Sequence, residues 1–237
     1  MTNFLQAKWE NIVMANYAVP ISVLQPYLPT GVEIDTYQGN AYVSLVGFLF
    51  KDTRIFKIPI PKLGTFEEVN LRFYVYRKEN NLLKRGVVFI NETVPYLPVA
   101  WLANKLYKEH YTAVKTKYNW QIDEHEKHIT YQWLVNKKWN SIYVEANNRP
   151  LEMPKNSFEE FIFEHYFGYT KVNDKTTEEY KINHPSWHIN TVTKTTIDCD
   201  FEANYGIDFA FLNSANPASV FLAEGSTIEV KWKRKKI

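Results

Sequence analysis

An acid, an amide and a guanidinium occupy alternate positions in residues 66–76, which read "FEEVNLRFYVY". The side chains of a β-strand alternate between its two faces, so Glu68, Asn70 and Arg72 share one face and stand about 6.6 Å apart from one to the next. Tyr74 follows on the same face and adds a hydroxyl. An arginine offers a forked donor to an anionic group, and a glutamate can give or take a proton. This row therefore has the parts needed to hold and act on a carboxylate or an enol.

The sequence alone does not determine whether this polar row faces a pocket or water. The opposite face of the same stretch is apolar and includes Val69, Leu71 and Phe73, which predicts that it packs in the core. The polar face then either lines a pocket, or it faces water and carries an ordinary cross-strand ion pair. Both interpretations are compatible with the pattern.

Two histidines are further candidates for the wall of a pocket. His165 lies near the end of a predicted helix, where the helix dipole can hold the ring while a nitrogen faces a cavity. His184 and His188 in "HPSWH" have the spacing of two metal ligands on a helix, but Pro185 between them disfavours a helix. The acidic segment 123–128, "DEHEKH", falls in an expected turn and is predicted to be a solvated loop. We therefore predict no metal site.

Sequence motifs for nucleotide cofactors and for the common nucleophiles are missing. The chain has no Gly-rich dinucleotide loop and no "GxxxxGK[ST]" phosphate loop, so nicotinamide, flavin and ATP have no support. It has no G-x-S-x-G elbow, and Cys199 lies in a Thr- and Asp-rich strand without a thiol-enzyme motif. No cofactor is predicted.

The elements that must position these residues are mostly strands. We predict strands near residues 7–19, 32–36, 41–50, 66–76, 87–94, 111–120, 129–135, 142–146, 180–183, 187–201, 219–223 and 227–232. Helices are predicted after Pro20, from Pro98, and from Ser157 in a capping box, with Gly168 ending the last one. The pattern predicts an α+β protein, mainly antiparallel β, folded as a single domain over residues 1–237.

Composition and charge limit the kinds of partner and the location that the sequence predicts. Five of the 28 basic residues lie in the C-terminal segment "KWKRKK", which leaves the rest of the chain mildly acidic and predicts no nucleic-acid partner. No apolar run is long enough for a membrane span, and no signal peptide is recognisable. With a single cysteine, the sequence predicts a cytoplasmic protein. The 16 Tyr and 7 Trp are compatible with a homo-oligomer that buries some of them at interfaces.

The order of several motifs resembles that of a known family. These are "GVEIDTYQGNAYVSLVGF", "FEEVNLRFYV" followed by "GVVF", then "FEEFIFEHYFGYT" and "HPSW". They resemble the YqjF-like bacterial proteins, the family of domain of unknown function 2071, over roughly residues 8 to 232. That family is in turn similar to acetoacetate decarboxylases. The resemblance implies their fold, a β-rich cone or barrel with a cavity and a few short helices.

Acetoacetate decarboxylases use a buried lysine that forms a Schiff base, beside a second lysine in a "PKK" setting, and a pocket glutamate. In "GTFEE", Glu68 occupies the position that matches this glutamate, but the chain has no "PKK". The adjacent pair Lys137-Lys138 falls at a hairpin tip. Lys105, on the helix that starts at Pro98, is the better candidate, although an exposed lysine is the alternative there. A Schiff-base lysine needs burial or a nearby cation.

We therefore predict a cavity that binds a small acidic or carbonyl-bearing molecule. As an enzyme, the protein would perform carbonyl or enol chemistry without a Schiff base, with Glu68 or a histidine as the acid or base and Arg72 holding the anion. One alternative is a non-catalytic ligand sensor or carrier with the same cavity. Another is a Schiff-base decarboxylase that uses Lys105, and a third is an interaction protein whose exposed aromatic strands contact partners.

Overall fold

The computed structural model describes residues 3–237 as a mostly-strand structure with a few short helices. The strands are β1 Asn3–Val19, β2 Glu33–Ile34, β3 Ala41–Ile55, β4 Ile58–Pro59, β5 Phe66–Glu79, β6 Leu82–Val94, β7 Tyr111–Ala113, β8 Thr116–Ile122, β9 Glu126–Val135, β10 Lys138–Asn147, β11 Phe167–Asn173, β12 Thr176–Asn183, β13 Ile189–Asn190, β14 Val192–Asp198, β15 Ser219–Lys231 and β16 Lys235–Lys236. The α-helices are α1 Ile21–Leu24, α2 Leu97–Tyr107, α3 Phe158–Phe163 and α4 Phe201–Tyr205, and two 3-10 segments span Gln25–Tyr27 and Ile207–Ser214.

Seven strands of the larger sheet close into a ring. Their order is β15-β1-β3-β5-β6-β11-β12, and β12 pairs in turn with β15. All of these pairings are antiparallel except β6 with β11. The hairpin of β11 and β12 joins the ring through short pairings on both sides, two residue pairs with β6 and two with β15. The predicted class, mainly antiparallel α+β, is confirmed.

A second sheet, in the order β14-β10-β9-β8, packs against the outside of the ring. One hydrophobic cluster contains residues of both sheets, among them Leu45 and Leu71 of the ring and Tyr131 and Trp133 of β9. The two sheets approach closely at Gly47, where a Cβ atom would lie 2.8 Å from the ring of Tyr131. A glycine is therefore required at this contact, because a side chain would force the sheets apart.

Strand β5 has the alternation that the sequence predicted. Val69, Leu71 and Phe73 belong to the cluster between the two sheets, whereas Phe66 and Tyr74 belong to a second cluster inside the ring. The predicted hairpin with β6 is also confirmed, and its turn is tighter than the loop expected from sequence. Asn80 and Asn81 both have positive φ, 48° and 62°, as in a two-residue hairpin turn of type I′.

The helix predicted from Ser157 begins as expected but is shorter. The Ser157 hydroxyl accepts a hydrogen bond from the Glu160 backbone N–H at 3.1 Å, which confirms the N-cap. The helix, α3, ends at Phe163 and not at Gly168. Gly168 lies in β11, where a Cβ atom would overlap the ring of Tyr180. This glycine is therefore needed for close approach within the ring, and not to end a helix.

Several predicted element boundaries were wrong from residue 111 onwards. The strand predicted over 111–120 is two strands, β7 and β8, and the one predicted over 187–201 is β13 and β14. The two strands predicted between 219 and 232 form the single strand β15. The sequence patterns missed α4 and the 3-10 segment that follows it. Within residues 3–237 none of the helices has both the length and the apolar character needed to cross a bilayer.

Candidate functional site

The interior of the ring holds a cavity of about 250 Å³. Glu68, Asn70 and Arg72 all line it, and the first two are only 2% and 1% exposed. The pocket interpretation of this polar row is therefore the one that the geometry supports, because the solvated alternative requires exposed side chains.

A β-bulge directs a second carboxyl group into the cavity. In the pairing of β5 with β6, Arg72 lies opposite Phe89 and Leu71 lies opposite Asn91, so Ile90 is an extra residue. The bulge reverses the alternation of β6, and Glu92 consequently faces the cavity opposite Asn70. Glu92 is 3% exposed, and its Oε2 has no hydrogen-bond partner in the described part of the chain.

A third carboxyl group reaches the cavity from the loop after α2. Lys108 ends this helix in the left-handed conformation, with φ 55°, and Glu109 follows it with 7% exposure. The Glu109 Oε1 accepts hydrogen bonds from the Thr170 hydroxyl at 2.5 Å and from the Tyr180 hydroxyl at 2.9 Å. Glu68, Glu92 and Glu109 together form what we call the carboxyl cluster.

Hydrogen bonds hold Glu68 in a defined position. The Asn70 side-chain amide donates to the Glu68 Oε1 at 2.9 Å, and the Tyr111 hydroxyl donates to Oε2 at 3.2 Å. Asn70 is held by its place on β5, where it stands two residues from Glu68 on the same face. The glutamate therefore presents its carboxyl group to the cavity in a fixed orientation.

Burial makes the carboxyl cluster unusually basic. It raises the pKa of Glu68 to about 7, and the charge of Glu109 adds to this, against hydrogen bonds from Asn70 and Tyr111 and the charge of Arg72 that lower it. Burial likewise raises the pKa of Glu109 to about 7 and that of Glu92 well above its ordinary range. A carboxyl group with a pKa near 7 can both take and release a proton at neutral pH.

Arg72 supplies the positive charge of the cavity. Among the lining residues within 3–237 it is the one cationic side chain. Its Nη2 lies 3.9 Å from the Met14 sulfur, and its guanidinium lies 5.8 Å from the centre of the Tyr74 ring. Its Nε has no hydrogen-bond partner among the described residues. The N–H group at Nε is therefore available to an anionic group of a ligand.

Tyr74 and His165 lie behind the cavity wall. The Tyr74 hydroxyl shares a hydrogen bond with the Ser44 hydroxyl at 2.5 Å, and its ring contacts that of His165 at 4.7 Å. The His165 Nε2 is 3.5 Å from an Asp35 carboxylate oxygen. Burial lowers the pKa of His165 to about 4, so the ring is neutral near pH 7. Neither of these two candidates is among the residues that line the cavity.

His184 also stands outside the cavity lining. Its ring stacks at 4.1 Å on that of Trp187, which does line the cavity, and at 4.6 Å on that of Tyr166. Burial lowers the pKa of His184. The structure thus places this histidine as support for an aromatic wall residue.

Lys105 points away from the cavity. It is exposed, and its ammonium lies 4.7 Å from the ring centre of Trp101 on the outer side of α2, whereas Val99 and Leu102 face the cavity. Lys138 of the hairpin tip pairs with Asp198 at 3.0 Å. Within residues 3–237 no lysine lines the cavity, and no group of three or more His, Cys, Asp or Glu side chains is arranged to hold a metal ion.

Two acids of the carboxyl cluster were missed from sequence for identifiable reasons. By alternation, Glu92 shares a face with Val88 and Ile90, and only the bulge turns it inward. An acid within the apolar run "VVFINETV" was a usable signal, since strand interiors rarely bury an unpaired charge. Glu109 lies in a loop, where no periodicity applies.

Comparisons with known proteins agree with the resemblance found in the sequence. Residues 6–227 match the model of the DUF2071 family, described as an uncharacterized conserved protein. The uncharacterized protein YqjF of Bacillus subtilis (strain 168) is 27% identical over 205 residues, which are 80% of each chain. The predicted family is thus confirmed.

Solved structures share the fold at low identity. Acetoacetate decarboxylase from Legionella pneumophila has a TM-score of 0.68 at 12% identity, over 100% of this chain and 88% of its own. The enduracididine biosynthesis enzyme MppR, complexed with pyruvate, has a TM-score of 0.65 at 11% identity, over 100% of this chain and 91% of its own. The predicted acetoacetate-decarboxylase-like fold is therefore confirmed.

Proposed function

The chain belongs to the DUF2071 family, and we propose that it binds a small organic acid or carbonyl compound in its cavity and transfers a proton on it without a Schiff base. The observation that carries this proposal is the placement of Glu68 and Arg72 in one cavity, with the pKa of Glu68 raised by burial to about 7. A base with this pKa is matched to proton transfer near neutral pH.

The proton transfer uses two side chains. Arg72 holds the carboxylate or the carbonyl oxygen of the ligand. Glu68, as the carboxylate, takes a proton from the carbon next to the carbonyl and becomes a carboxylic acid. The electron pair of that C–H bond forms the double bond of an enolate, and the positive charge of Arg72 stabilises the enolate oxygen. The reverse step returns the proton to the same carbon.

The relatives suggest which ligands to try first. One solved structure of this fold is an acetoacetate decarboxylase, and another holds pyruvate. Both names concern acids with a carbonyl group, which fits the pairing of Arg72 with a buried proton carrier here. The lysine route has no such support, because Lys105 lies on the outer side of α2.

Hydrogen–deuterium exchange tests the proposal directly. In D2O the protein is expected to accelerate exchange at the carbon next to the carbonyl of pyruvate or 2-oxobutanoate, followed by proton NMR. Glu68→Gln should reduce this rate by at least about 100-fold, because it removes the proton carrier while keeping its shape. Glu124→Gln, an exposed acid in a turn, is the matched control and should leave the rate unchanged. Equal rates in both variants would refute the role of Glu68.

A carrier or sensor is the second candidate, and the apolar character of most of the lining favours it. Trp9, Phe48, Phe50 and Phe66 line the cavity and offer burial but no proton chemistry. A carrier or sensor would be stabilised against heat by its ligand but would not exchange the ligand's protons. Glu68→Gln would still show this thermal stabilisation. Both results together would favour a carrier or sensor and argue against an enzyme.

A further inference from the structure

The polar and apolar lining residues are separated along the strands. On β5 the inward side chains follow in the order Arg72, Asn70, Glu68 and Phe66, which spans about 20 Å at the strand repeat of 3.3 Å per residue. On the neighbouring strand, Phe48 lies opposite Glu68. The polar end of the cavity thus gives way to aromatic residues immediately beside Glu68.

Five aromatic side chains form the next layer, which we call the aromatic collar. Its members all line the cavity, and they are Trp9, Phe48, Phe50, Phe66 and Trp187. They contact each other at ring-centre distances of 4.9 Å for Trp9 with Phe48, 4.8 Å for Phe50 with Phe66, and 6.0 Å for Trp9 with Trp187. Such contacts hold the rings in place, so the collar is a preformed apolar surface.

Apolar residues continue the lining beyond the collar and reach the surface of the molecule. Leu5, Ile60 and Leu63 line the cavity and are half-buried, and Pro98 of α2 is exposed. A ligand whose head group lies at Arg72 can therefore extend past Glu68 through the collar towards this end without meeting another charged side chain on β5 or β3.

The size of the cavity exceeds what a small ketoacid needs. A dry protein cavity of about 150 Å³ accommodates benzene. A volume of about 250 Å³ has room for a ring or several methylene groups in addition to a carboxylate head. A ligand without such a tail would leave the aromatic collar uncovered.

We infer that the ligand is an organic acid with an apolar tail, a ring or a chain of several methylene groups, which the aromatic collar binds while Arg72 holds the acid. This inference rests on the proposed function for its head group and adds the class of the tail.

A ligand series with one constant head group tests the tail. Binding of pyruvate, 2-oxobutanoate, 2-oxohexanoate, 2-oxooctanoate and phenylpyruvate is measured by isothermal titration calorimetry. Affinity is expected to increase about fourfold for each methylene group that the collar buries. Phenylpyruvate should bind at least about tenfold more tightly than pyruvate. Equal affinities along the series would overturn the inference and leave the head-group proposal standing.

A variant that fills part of the cavity from α2 provides the structural control. Ala103 lines the cavity from α2, and Ala103→Phe would occupy the space that the tail needs. This variant should weaken 2-oxooctanoate binding at least about tenfold and leave pyruvate binding within about twofold. Lys105→Ala, on the outer side of the same helix, should change neither. Equal losses for both acids in a folded Ala103→Phe protein would contradict the placement of the tail.

A ligand that has the apolar tail but no acid group, 1-octanol, shows which of the two proposals is wrong. If no 2-oxo acid binds, but 1-octanol binds and Ala103→Phe abolishes its binding, the collar holds an apolar tail and the proposed acid head group is wrong. If 1-octanol does not bind either, the inference that the collar binds an apolar tail is wrong as well.

Discussion

The surroundings of Glu68 shift its pKa in two opposite directions. Its burial and the nearby carboxyl of Glu109 favour the neutral form, whereas Asn70, Tyr111 and Arg72 favour the anion. Glu92 has fewer compensating contacts, since one of its oxygens has no hydrogen-bond partner among the residues that the structure describes, and burial is the main cause of its raised pKa. The carboxyl cluster thus contains a proton carrier with a pKa of about 7 beside an acid whose pKa burial raises well above its ordinary value.

This arrangement predicts that the folded protein loses stability as the pH rises. The pKa of Glu68 and of Glu109 is about 7 in the folded protein, against an ordinary value of 4.5. Between these values the folded state binds more protons than the unfolded chain, so the free energy of unfolding decreases with pH. Each group contributes at most roughly 3 kcal/mol. Urea denaturation at pH 5 and pH 8 measures the difference.

The variant Glu68→Gln tests whether this pH dependence of stability arises from the cavity. Glu68→Gln removes one titrating group and should reduce the loss of stability between pH 5 and pH 8, whereas the exposed-site variant Glu124→Gln should keep it. An identical pH dependence in Glu68→Gln and in the unmodified protein would show that burial does not raise the pKa of Glu68.

At the scale of elements, the short helix α3 closes part of the ring interior. Its buried residues Phe161, Ile162 and Phe163 belong to the inner hydrophobic cluster, and Phe161 contacts Tyr74 at 5.4 Å. A helix of six residues is too short to be stable by itself, so its capping and its packing must hold it together.

The Ser157 cap should therefore have a measurable effect. Ser157→Ala removes the acceptor for the Glu160 N–H and is expected to lower the free energy of unfolding by about 1 kcal/mol. Urea denaturation measures this change. Ser157→Asp, which keeps a capping oxygen, should restore most of the loss. Equal destabilisation by alanine and aspartate would argue against a capping role.

The elements also show what sequence can and cannot predict here. The strand β5, its paired hairpin and the start of α3 follow from alternation, Asn-rich turn chemistry and the capping box. The inward turn of Glu92 does not follow from alternation, because the bulge at Ile90 arises from pairing with β5, although an acid within an apolar run was a local sign of it. The inward position of Glu109 likewise depends on contacts with Thr170 and Tyr180, which lie more than 60 residues away.

At the scale of the whole molecule, the outer sheet supports the wall of the ring that carries the polar row. The side chains of β5 opposite the polar row, including Leu71, pack into the cluster shared with Tyr131 and Trp133. Gly47, paired with Val69 of β5, lets the two sheets meet. The position of the site residues thus depends on packing outside the cavity.

This dependence predicts a destabilising effect of Gly47→Ala. The added methyl group would contact the ring of Tyr131, and such overpacking costs about 1–3 kcal/mol. Urea denaturation provides the measurement. In a Tyr131→Leu background the same substitution should cost less, because the contacting ring is gone. Equal costs in both backgrounds would exclude the Tyr131 contact as the cause.

The hairpin of β11 and β12 differs from the rest of the ring in how few backbone pairs fasten it. Two residue pairs hold it on either side, Phe167 and Gly168 with β6, and Ile182 and Asn183 with β15. Outward displacement of this hairpin would break fewer interstrand bonds than displacement of β1, β3 or β5. Because Thr170 and Tyr180 travel with it, such a movement would also release Glu109. Without the hydroxyl groups of Thr170 and Tyr180, which lower the pKa of Glu109, this carboxyl group would hold its proton more tightly.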